Sequence, residues 1–210
     1  GAGESGRIWS GNFDYLPSDP RYDNNSRNLL HGGNVHQQAA NRNPTHPQAF
    51  PGIIIFPQVS YSGSWASGWQ ENPTTNQEFI YEFLEYMVAT YNANINRIYV
   101  HGLSNGGRGT WDTATKRPDL FAAVLPMSGL PYNSDVAAER LETTPIRLYQ
   151  GGRDTNPSPG GAESIINKLV ANGGNPEYIL YPNLAHGVWN TACGEADLWS
   201  RMLTKDKRSI

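Results

Sequence analysis

Short apolar runs alternate with longer segments of helical periodicity along this 210-residue chain, and this alternation restricts its fold more than any other feature. The strands predicted from the runs cover residues 52–56, 98–101, 121–127, 146–149 and 178–181. The helices predicted from the periodic segments include residues 79–88 (with Asn76 as the cap candidate), 106–116, 165–170 and 195–203. Because strands that alternate with helices usually pair in parallel, the pattern predicts an α/β fold with a mostly parallel sheet and helices on both faces.

The length of the chain favours one domain, since 210 residues can bury one good core and are too few for two typical ones. We therefore expect residues 1–210 to form a single catalytic domain. Residues 7–50 interrupt the pattern, because Asn, Pro, Gly, His and Ser dominate there and neither period persists. Loops of this length are usually functional or disordered, and we expect this one to form a wall of the substrate site.

Net charge and hydropathy argue against nucleic acid and membranes as binding partners. The formal net charge of -3 gives no large basic surface, which argues against nucleic acid or an anionic membrane as partner. No apolar stretch approaches the roughly 18 to 20 residues that a membrane-spanning helix needs. A small-molecule or polymer substrate fits this composition better.

Cysteine and histidine give little support to a metal site. The single cysteine, Cys193, allows neither an internal disulfide nor a cysteine-rich zinc site and is expected to be a small buried residue. His31, His36 and His46 share one polar loop, but their spacing matches no familiar site and no acidic cluster accompanies them. We predict no metal and no cofactor.

A G-x-S-x-G motif, Gly102-Leu-Ser104-Asn-Gly106, joins the strand ending near His101 to the helix beginning near Gly106. This strand, turn and helix context is typical of a nucleophile elbow, although such a loop can also be a plain connection. The tight turn should strain the serine backbone, and side chains larger than glycine at Gly102 and Gly106 should collide with neighbouring elements. The start of the helix would direct free N–H groups toward a developing oxyanion.

Two further residues follow strand ends as Ser104 does. Asp154 lies in a turn-rich loop after strand 146–149, and His186 lies in a loop after strand 178–181. Taken singly, either is more often an ordinary loop residue. Together they have the order Ser, Asp, His, and in a parallel sheet all three strand ends lie at one edge. The sequence therefore predicts a triad with Ser104 as nucleophile, His186 as base and Asp154 as the acid that orients it.

Residues 96–111 and 117–129 resemble a carboxylesterase group of the α/β-hydrolase superfamily, often labelled predicted peptidases and related to polyhydroxybutyrate depolymerases and feruloyl esterases. The resemblance covers the chain from about residue 50 to its end. It implies the α/β-hydrolase fold and cleavage of carboxylic esters through an acyl-enzyme.

The same resemblance extends to Gly1–Gly6, which matches the H-G-x-G-E-x-G loop of this family. It implies that Ala2 and Asn105 supply the oxyanion N–H groups. The central strand before that loop and further N-terminal strands would then be missing from this chain, which would expose unpaired backbone groups. A separate N-terminal segment of the same protein, another element in the gap, or a fragment would each explain this. A flexible terminus at Gly1–Gly6 is the remaining alternative.

Tryptophans are the candidates for substrate contact. The family places one soon after the strand that ends in Pro57-Gln58, where this chain has Trp65 and Trp69, and Trp189 follows His186 closely. Their rings could line an acyl or sugar pocket, or they could pack the long loop.

The leading hypothesis is a serine esterase that acts on a small or polymer-attached carboxylic ester. A serine peptidase is the second hypothesis, because the same triad cleaves amides. A non-catalytic binding protein is the third, and the complete set of Ser104, Asp154 and His186 argues against it. Few charged residues and many Asn, Gly, Tyr and Trp favour a secreted or periplasmic location over a cytoplasmic one.

Overall fold

The computed structural model describes residues 52, 53, 55, 57, 72–195 and 197–209. Of the strand predicted at 52–56, the three described residues are not in a strand and the other two lie outside the described residues. The polar loop at 7–50 and the residues Ala2, Trp65 and Trp69 also lie outside them. The ideas about these segments, and the single domain over residues 1–210, stay predictions.

Strands and helices alternate through the described part of the chain. The helices are α1 (Thr75–Tyr91), α2 (Asn105–Lys116), α3 (Ser134–Arg140), α4 (Pro159–Ala171), α5 (Trp189–Cys193) and α6 (Leu198–Leu203), followed by a 3₁₀ turn (Lys207–Ser209). The strands are β1 (Tyr99–Leu103), β2 (Ala123–Met127), β3 (Arg147–Gly151) and β4 (Glu177–Tyr181).

The described strands form one sheet in the order β1-β2-β3-β4, and every neighbouring pair is parallel. Leu103 pairs with Met127, Met127 with Tyr149, and Gly151 with Tyr181. The predicted parallel sheet is therefore confirmed for this part of the chain. The carboxyl ends of these strands lie at one edge, which we call the catalytic edge, and the segments containing Ser104, Asp154 and His186 leave the sheet there.

Helices cover both faces of the sheet, as predicted. One buried cluster joins β2 and β3 to α1 through α4, and its members include Tyr81, Trp111, Val124, Leu148 and Ile165. The other joins the same strands to α5 and α6, and its members include Leu125, Met127, Tyr149, Cys193 and Met202. Adjacent strand residues such as Leu148 and Tyr149 belong to opposite clusters because successive side chains of a strand point to opposite faces.

The amino end of α1 differs from the prediction. Thr74, rather than Asn76, is the N-cap, and its hydroxyl accepts a hydrogen bond from the N–H of Gln77 at 3.2 Å. The Gln77 side chain in turn accepts from the N–H of Thr74 at 2.8 Å, which completes a capping box. Asn76 was the wrong choice because the Thr-x-x-Gln pattern starts two residues earlier and satisfies two donors at once.

The carboxyl-terminal helix predicted at 195–203 is also shorter in the structure. Residues 189–193 form α5, Gly194 is its C-cap, and α6 begins only at Leu198. The pattern missed α3 as well, a seven-residue helix whose N-cap Asn133 accepts from the N–H groups of Asp135 and Val136. Helices this short contain too few turns for periodicity to distinguish them from loops.

Candidate active site

Ser104 occupies the turn between β1 and α2 and has a positive φ of 55° with a ψ of -117°, a combination that non-glycine residues rarely adopt. The strain predicted for this turn is therefore present. Two hydrogen bonds hold it: the N–H of Ser104 donates to the Met127 carbonyl at 2.8 Å, and the N–H of Arg108 donates to the Ser104 carbonyl at 3.0 Å. The turn is fixed to β2 on one side and to the first turn of α2 on the other.

The glycines around the elbow differ in how much space each leaves for a side chain. A Cβ at Gly102 would overlap the Gly106 carbonyl and lie 2.8 Å from Thr110 Oγ1, so the predicted steric need is met there. At Gly106 the prediction is wrong, because a Cβ would have nothing within 4 Å. The second crowded position is Gly107, where a Cβ would lie 2.7 Å from the Met127 carbonyl oxygen. Gly107 faces β2, whereas Gly106 faces open space.

The Ser104 side chain does not cap α2, although Ser104 is the N-cap residue of this helix. A serine at a helix N-cap usually accepts a hydrogen bond from an N–H of the first turn. Ser104 makes no such bond. Its Oγ lies instead 2.8 Å from Nε2 of His186, which comes from the loop after β4.

His186 bridges the serine and the aspartate. Its Nδ1 lies 2.8 Å from Oδ2 of Asp154. An ionised carboxylate can only accept hydrogen bonds, so Nδ1 carries the proton and Nε2 is free to accept the Ser104 hydroxyl proton. The structure thus brings the three predicted residues together in one chain of contacts, Ser104 to His186 to Asp154.

Asp154 is almost fully buried, with 6% of its surface exposed. Its Oδ1 accepts from the N–H of Asn156 at 3.0 Å, and its Oδ2 accepts from Gln150 Nε2 at 3.2 Å as well as from His186. These donors satisfy the buried carboxylate and fix its orientation.

Gln150, near the end of β3, is a site residue that the sequence reasoning missed. It is completely buried, and besides Asp154 its amide nitrogen contacts the carbonyl of Pro157 at 2.9 Å. The Gln150 amide thus joins Asp154, the predicted acid, to Pro157 later in the same loop. The available signal was a polar residue directly after the predicted strand 146–149 and four residues before Asp154.

The loops that carry Asp154 and His186 are held against each other by backbone contacts. The N–H of Gly152 donates to the Tyr181 carbonyl at 2.8 Å, and that of Arg153 donates to the Leu184 carbonyl at 2.9 Å. A Cβ at Gly152 would lie 2.9 Å from the Pro182 carbonyl oxygen. Glycine at this point allows the aspartate loop to approach the histidine loop closely.

Asn105 and Trp189 are the other predicted site residues within the described part. Asn105 is the first residue of α2, so its N–H has no acceptor within the helix and lies directly after Ser104. Trp189 begins α5, is half-buried and meets the His186 ring edge to face, with centroids 5.8 Å apart. Their roles in oxyanion and substrate binding stay predictions, as do those of Ala2, Trp65 and Trp69.

Among the described residues, no group of three or more His, Cys, Asp or Glu side chains is arranged to hold a metal ion. Within the same part of the chain, no helix is long and apolar enough to cross a bilayer.

A protein-family model matches residues 67–203 of the chain, about two thirds of its length, and its description is dienelactone hydrolase family. The chain belongs to the dienelactone hydrolase family. This family lies within the α/β-hydrolase superfamily, which the resemblance in the sequence predicted.

Curated relatives of this dienelactone hydrolase family member include fungal enzymes. Acetylxylan esterase A of Emericella nidulans is 32% identical over 148 residues, which cover 62% of this chain and 48% of that protein. Acetylxylan esterase A of Talaromyces purpureogenus is 35% identical over 148 residues, covering 62% of this chain and 38% of that protein. The chain spans about half the length of these curated relatives, or less.

Solved structures agree on the fold of this dienelactone hydrolase family member. A thermostable esterase superposes with a TM-score of 0.64 at 25% identity, covering 71% of this chain and 43% of that one. SOBER1 of Arabidopsis thaliana superposes with a TM-score of 0.58 at 19% identity, covering 83% of this chain and 92% of that one. The predicted α/β-hydrolase fold is confirmed.

Proposed function

We propose that this protein is a serine hydrolase that cleaves carboxylic esters through an acyl-enzyme. The observation that carries the proposal is the 2.8 Å contact between Ser104 Oγ and His186 Nε2, made by a cap serine that makes no cap bond. A lone hydroxyl is a poor nucleophile at neutral pH, and this contact supplies the base that it lacks.

In the first half of the reaction, Ser104 Oγ attacks the ester carbonyl while His186 Nε2 accepts the hydroxyl proton. Asp154 holds the ring by its Nδ1–H and stabilises the imidazolium with its negative charge. The Asn105 N–H, at the positive end of α2, donates to the oxyanion that forms. The imidazolium then gives its proton to the departing alcohol, and the acyl group stays on Ser104.

In the second half, a water molecule takes the place of the alcohol. His186 accepts a proton from this water as it attacks the acyl carbon, and then returns the proton to Ser104 Oγ as the carboxylic acid leaves. The same three residues therefore act twice, and the enzyme ends in its starting state.

The relatives support a proposal for the substrate class. The proteins from Emericella nidulans and Talaromyces purpureogenus are named as esterases of acetylxylan, a polymer that carries acetyl esters. We extend this to the present chain as a preference for short acyl groups on small or polymer-attached alcohols. A secreted or periplasmic location, favoured by composition, stays a prediction.

Hydrolysis of 4-nitrophenyl acetate by the full chain tests the proposal. We expect steady turnover, and Ser104→Ala should lower kcat by several orders of magnitude because the nucleophile is gone. Ser158→Ala is the matched control, since the Ser158 hydroxyl only caps α4. Turnover that survives Ser104→Ala at a near-normal rate would refute the mechanism.

A matched anilide, 4-nitroacetanilide, separates the ester hypothesis from the peptidase hypothesis. The proposal expects the ester to be cleaved far faster than the amide. Preferential cleavage of the amide would show that the chain is a peptidase rather than an esterase.

A further inference from the structure

The imidazole of His186 is held at two points by the other two members of the predicted triad. Nδ1 lies 2.8 Å from Asp154 Oδ2, and Nε2 lies 2.8 Å from Ser104 Oγ. Two contacts at the edge of a flat ring leave it free to rock about the line that joins them, and 38% of the His186 side chain is exposed. A third contact away from that line is needed to fix the plane of the ring.

The indole ring of Trp189 provides such a third contact. Its centroid lies 5.8 Å from the centroid of the imidazole, and the two ring planes meet at 86°. Edge-to-face pairs at this separation are attractive, because the positive edge of one ring meets the negative face of the other. Both imidazole nitrogens already have partners, so the indole restrains the ring without competing with Ser104 or Asp154.

The position of Trp189 is in turn fixed by the packing of α5. Trp189 is the first residue of this helix and packs, half-buried, against the cluster that contains Met127 and Tyr149. Val188, the residue before it, is completely buried, and its N–H donates to the His186 carbonyl at 3.0 Å. The start of α5, the histidine backbone and the indole therefore form one unit that is packed against the sheet.

Gly187 shows how closely the indole approaches the histidine loop. A Cβ on this glycine would lie 3.7 Å from Cζ2 and 3.8 Å from Cη2 of Trp189, which is ordinary van der Waals contact. The six-membered part of the indole thus lies beside the backbone that directly follows His186. The side chain folds back along the chain toward the imidazole instead of extending away from it.

The two halves of the proposed reaction differ in how the imidazole is held. Before attack, the hydroxyl of Ser104 donates to Nε2 and helps to hold the ring. In the acyl-enzyme the Ser104 oxygen is esterified and carries no proton, so this hydrogen bond is absent until the acyl group leaves. Asp154 and Trp189 then remain in contact with the ring while Nε2 accepts a proton from water.

We propose that Trp189 is a positioning residue for His186, which fixes the plane of the imidazole and acts mainly during release of the acyl group. The proposal rests on the esterase function. It differs from the role predicted from the sequence, in which Trp189 contacts the substrate. Loss of a substrate contact would lower kcat/KM and leave the release step unchanged, whereas loss of the positioning contact would slow the release step.

Hydrolysis of 4-nitrophenyl acetate by the full chain, combined with mass spectrometry, separates these two effects. Samples at saturating ester are quenched in acid, and the acetylated fraction of the protein is measured from its intact mass. Dividing kcat by this fraction gives the rate constant for release of the acetyl group. The value of kcat/KM reports only binding and the first half of the reaction, because both precede the acetyl-enzyme.

Trp189→Leu removes the ring and keeps an apolar side chain at the start of α5. We expect release to slow by about 10-fold and kcat/KM to fall by no more than about 3-fold, because the loss of one aromatic pair then falls mainly on the second half. Trp189→Phe keeps a smaller ring and should slow release by only about 2- to 3-fold. This second variant decides the question by the same comparison if Trp189→Leu does not fold.

Phe79→Leu is the matched control, since it removes the exposed ring of a different aromatic pair, which Phe79 forms with Phe83 in α1. It should change neither quantity. A release step that the Trp189 variants leave intact, or equal losses in release and in kcat/KM, would overturn the positioning proposal while turnover by the native protein upheld the esterase. A native protein that neither hydrolyses the ester nor becomes acetylated would instead reject the esterase function, and the positioning proposal with it.

Discussion

Gln150 Nε2 lies 3.2 Å from Oδ2 of Asp154, the same oxygen that lies 2.8 Å from Nδ1 of His186. The buried amide and the imidazole therefore share one acceptor. A donor on that oxygen draws part of the carboxylate charge away from the imidazole, and it also helps to fix the position of the carboxylate.

Gln150→Leu removes this donor and keeps the volume of the side chain. We expect kcat/KM to fall by about 10-fold, because a buried carboxylate that has lost a hydrogen bond holds His186 less well. The loss should fall on kcat rather than on KM, because Gln150 acts through Asp154 and His186. A loss confined to KM, or no loss at all, would mean that Gln150 only supports the fold.

Gly102 is the elbow position where we expect the largest steric effect. In Gly102→Ala the new methyl group meets the Gly106 carbonyl and Thr110 Oγ1, so the free energy of unfolding should fall by about 1–3 kcal/mol or more. Gly160→Ala is the control, because a Cβ in this first turn of α4 has nothing within 4 Å. It should raise stability by up to about 1 kcal/mol. Urea unfolding compares the two, and equal effects would contradict the packing.

Arg147 tests stability separately from catalysis, since it begins β3 at the edge opposite the site. Its guanidinium is nearly buried and lies 3.3 Å from both Glu195 and Asp197 and 3.5 Å from Glu177. Arg147→Met removes the cation that these carboxylates share, although Arg201 still contacts Glu177 and Asp197, and should lower the free energy of unfolding by about 1.5–3 kcal/mol.

The exposed pair of Arg117 and Asp119 is the comparison for Arg147. Their side chains are 35% and 65% exposed, and Arg117→Met should change stability by less than about 1 kcal/mol. Chemical denaturation of the two variants measures the loss in free energy of unfolding for each. A similar small loss for both would show that the Arg147 cluster contributes little.

Cys193 is buried at 1% exposure, and burial raises the pKa of its thiol from 9.0 to about 12, because the thiolate loses hydration. The native protein should resist a thiol-reactive disulfide reagent at pH 8 and react promptly in urea. Equal reaction rates in the two states would contradict the burial.

The raised pKa of Cys193 also makes the free energy of unfolding depend on pH. In the unfolded chain the thiol ionises near pH 9, whereas in the folded protein it stays protonated until about pH 12. Stability is therefore fully present below pH 9 and declines as the pH rises through that window. Burial raises the pKa of Tyr149 and Tyr181 as well, which deepens the decline. Urea midpoints at pH 8 and pH 10.5 measure it, and Cys193→Ala should lessen the difference.

Much of this fold could be predicted from local patterns. The strand at 121–127 is a continuous run that β2 buries on both faces, and it was recognisable for that reason. A parallel arrangement of the strands then predicts that Ser104, Asp154 and His186 lie at one edge of the sheet. The parallel topology therefore predicts that these residues, which are far apart in the sequence, come together in the fold.

Other features depend on tertiary contacts that no local pattern encodes. Gly106 and Gly107 look equivalent in the sequence, yet only Gly107 faces β2, because the direction of α2 decides which one is crowded. In the sequence, Gln150 is one polar residue near a strand end. Its contacts with Asp154 and Pro157 form only because the following loop folds back over it. The guanidinium of Arg108 lies 4.7 Å from the centroid of the Tyr132 ring, a contact between α2 and the segment after β2 that no local pattern indicates.

Covalent labelling with a fluorophosphonate measures whether His186 activates the hydroxyl of Ser104. We expect one adduct on the folded full chain, located on the peptide that contains Ser104, and much slower labelling in His186→Ala. A folded protein that takes up no adduct, or takes it up at another residue, would show that Ser104 is not the activated nucleophile.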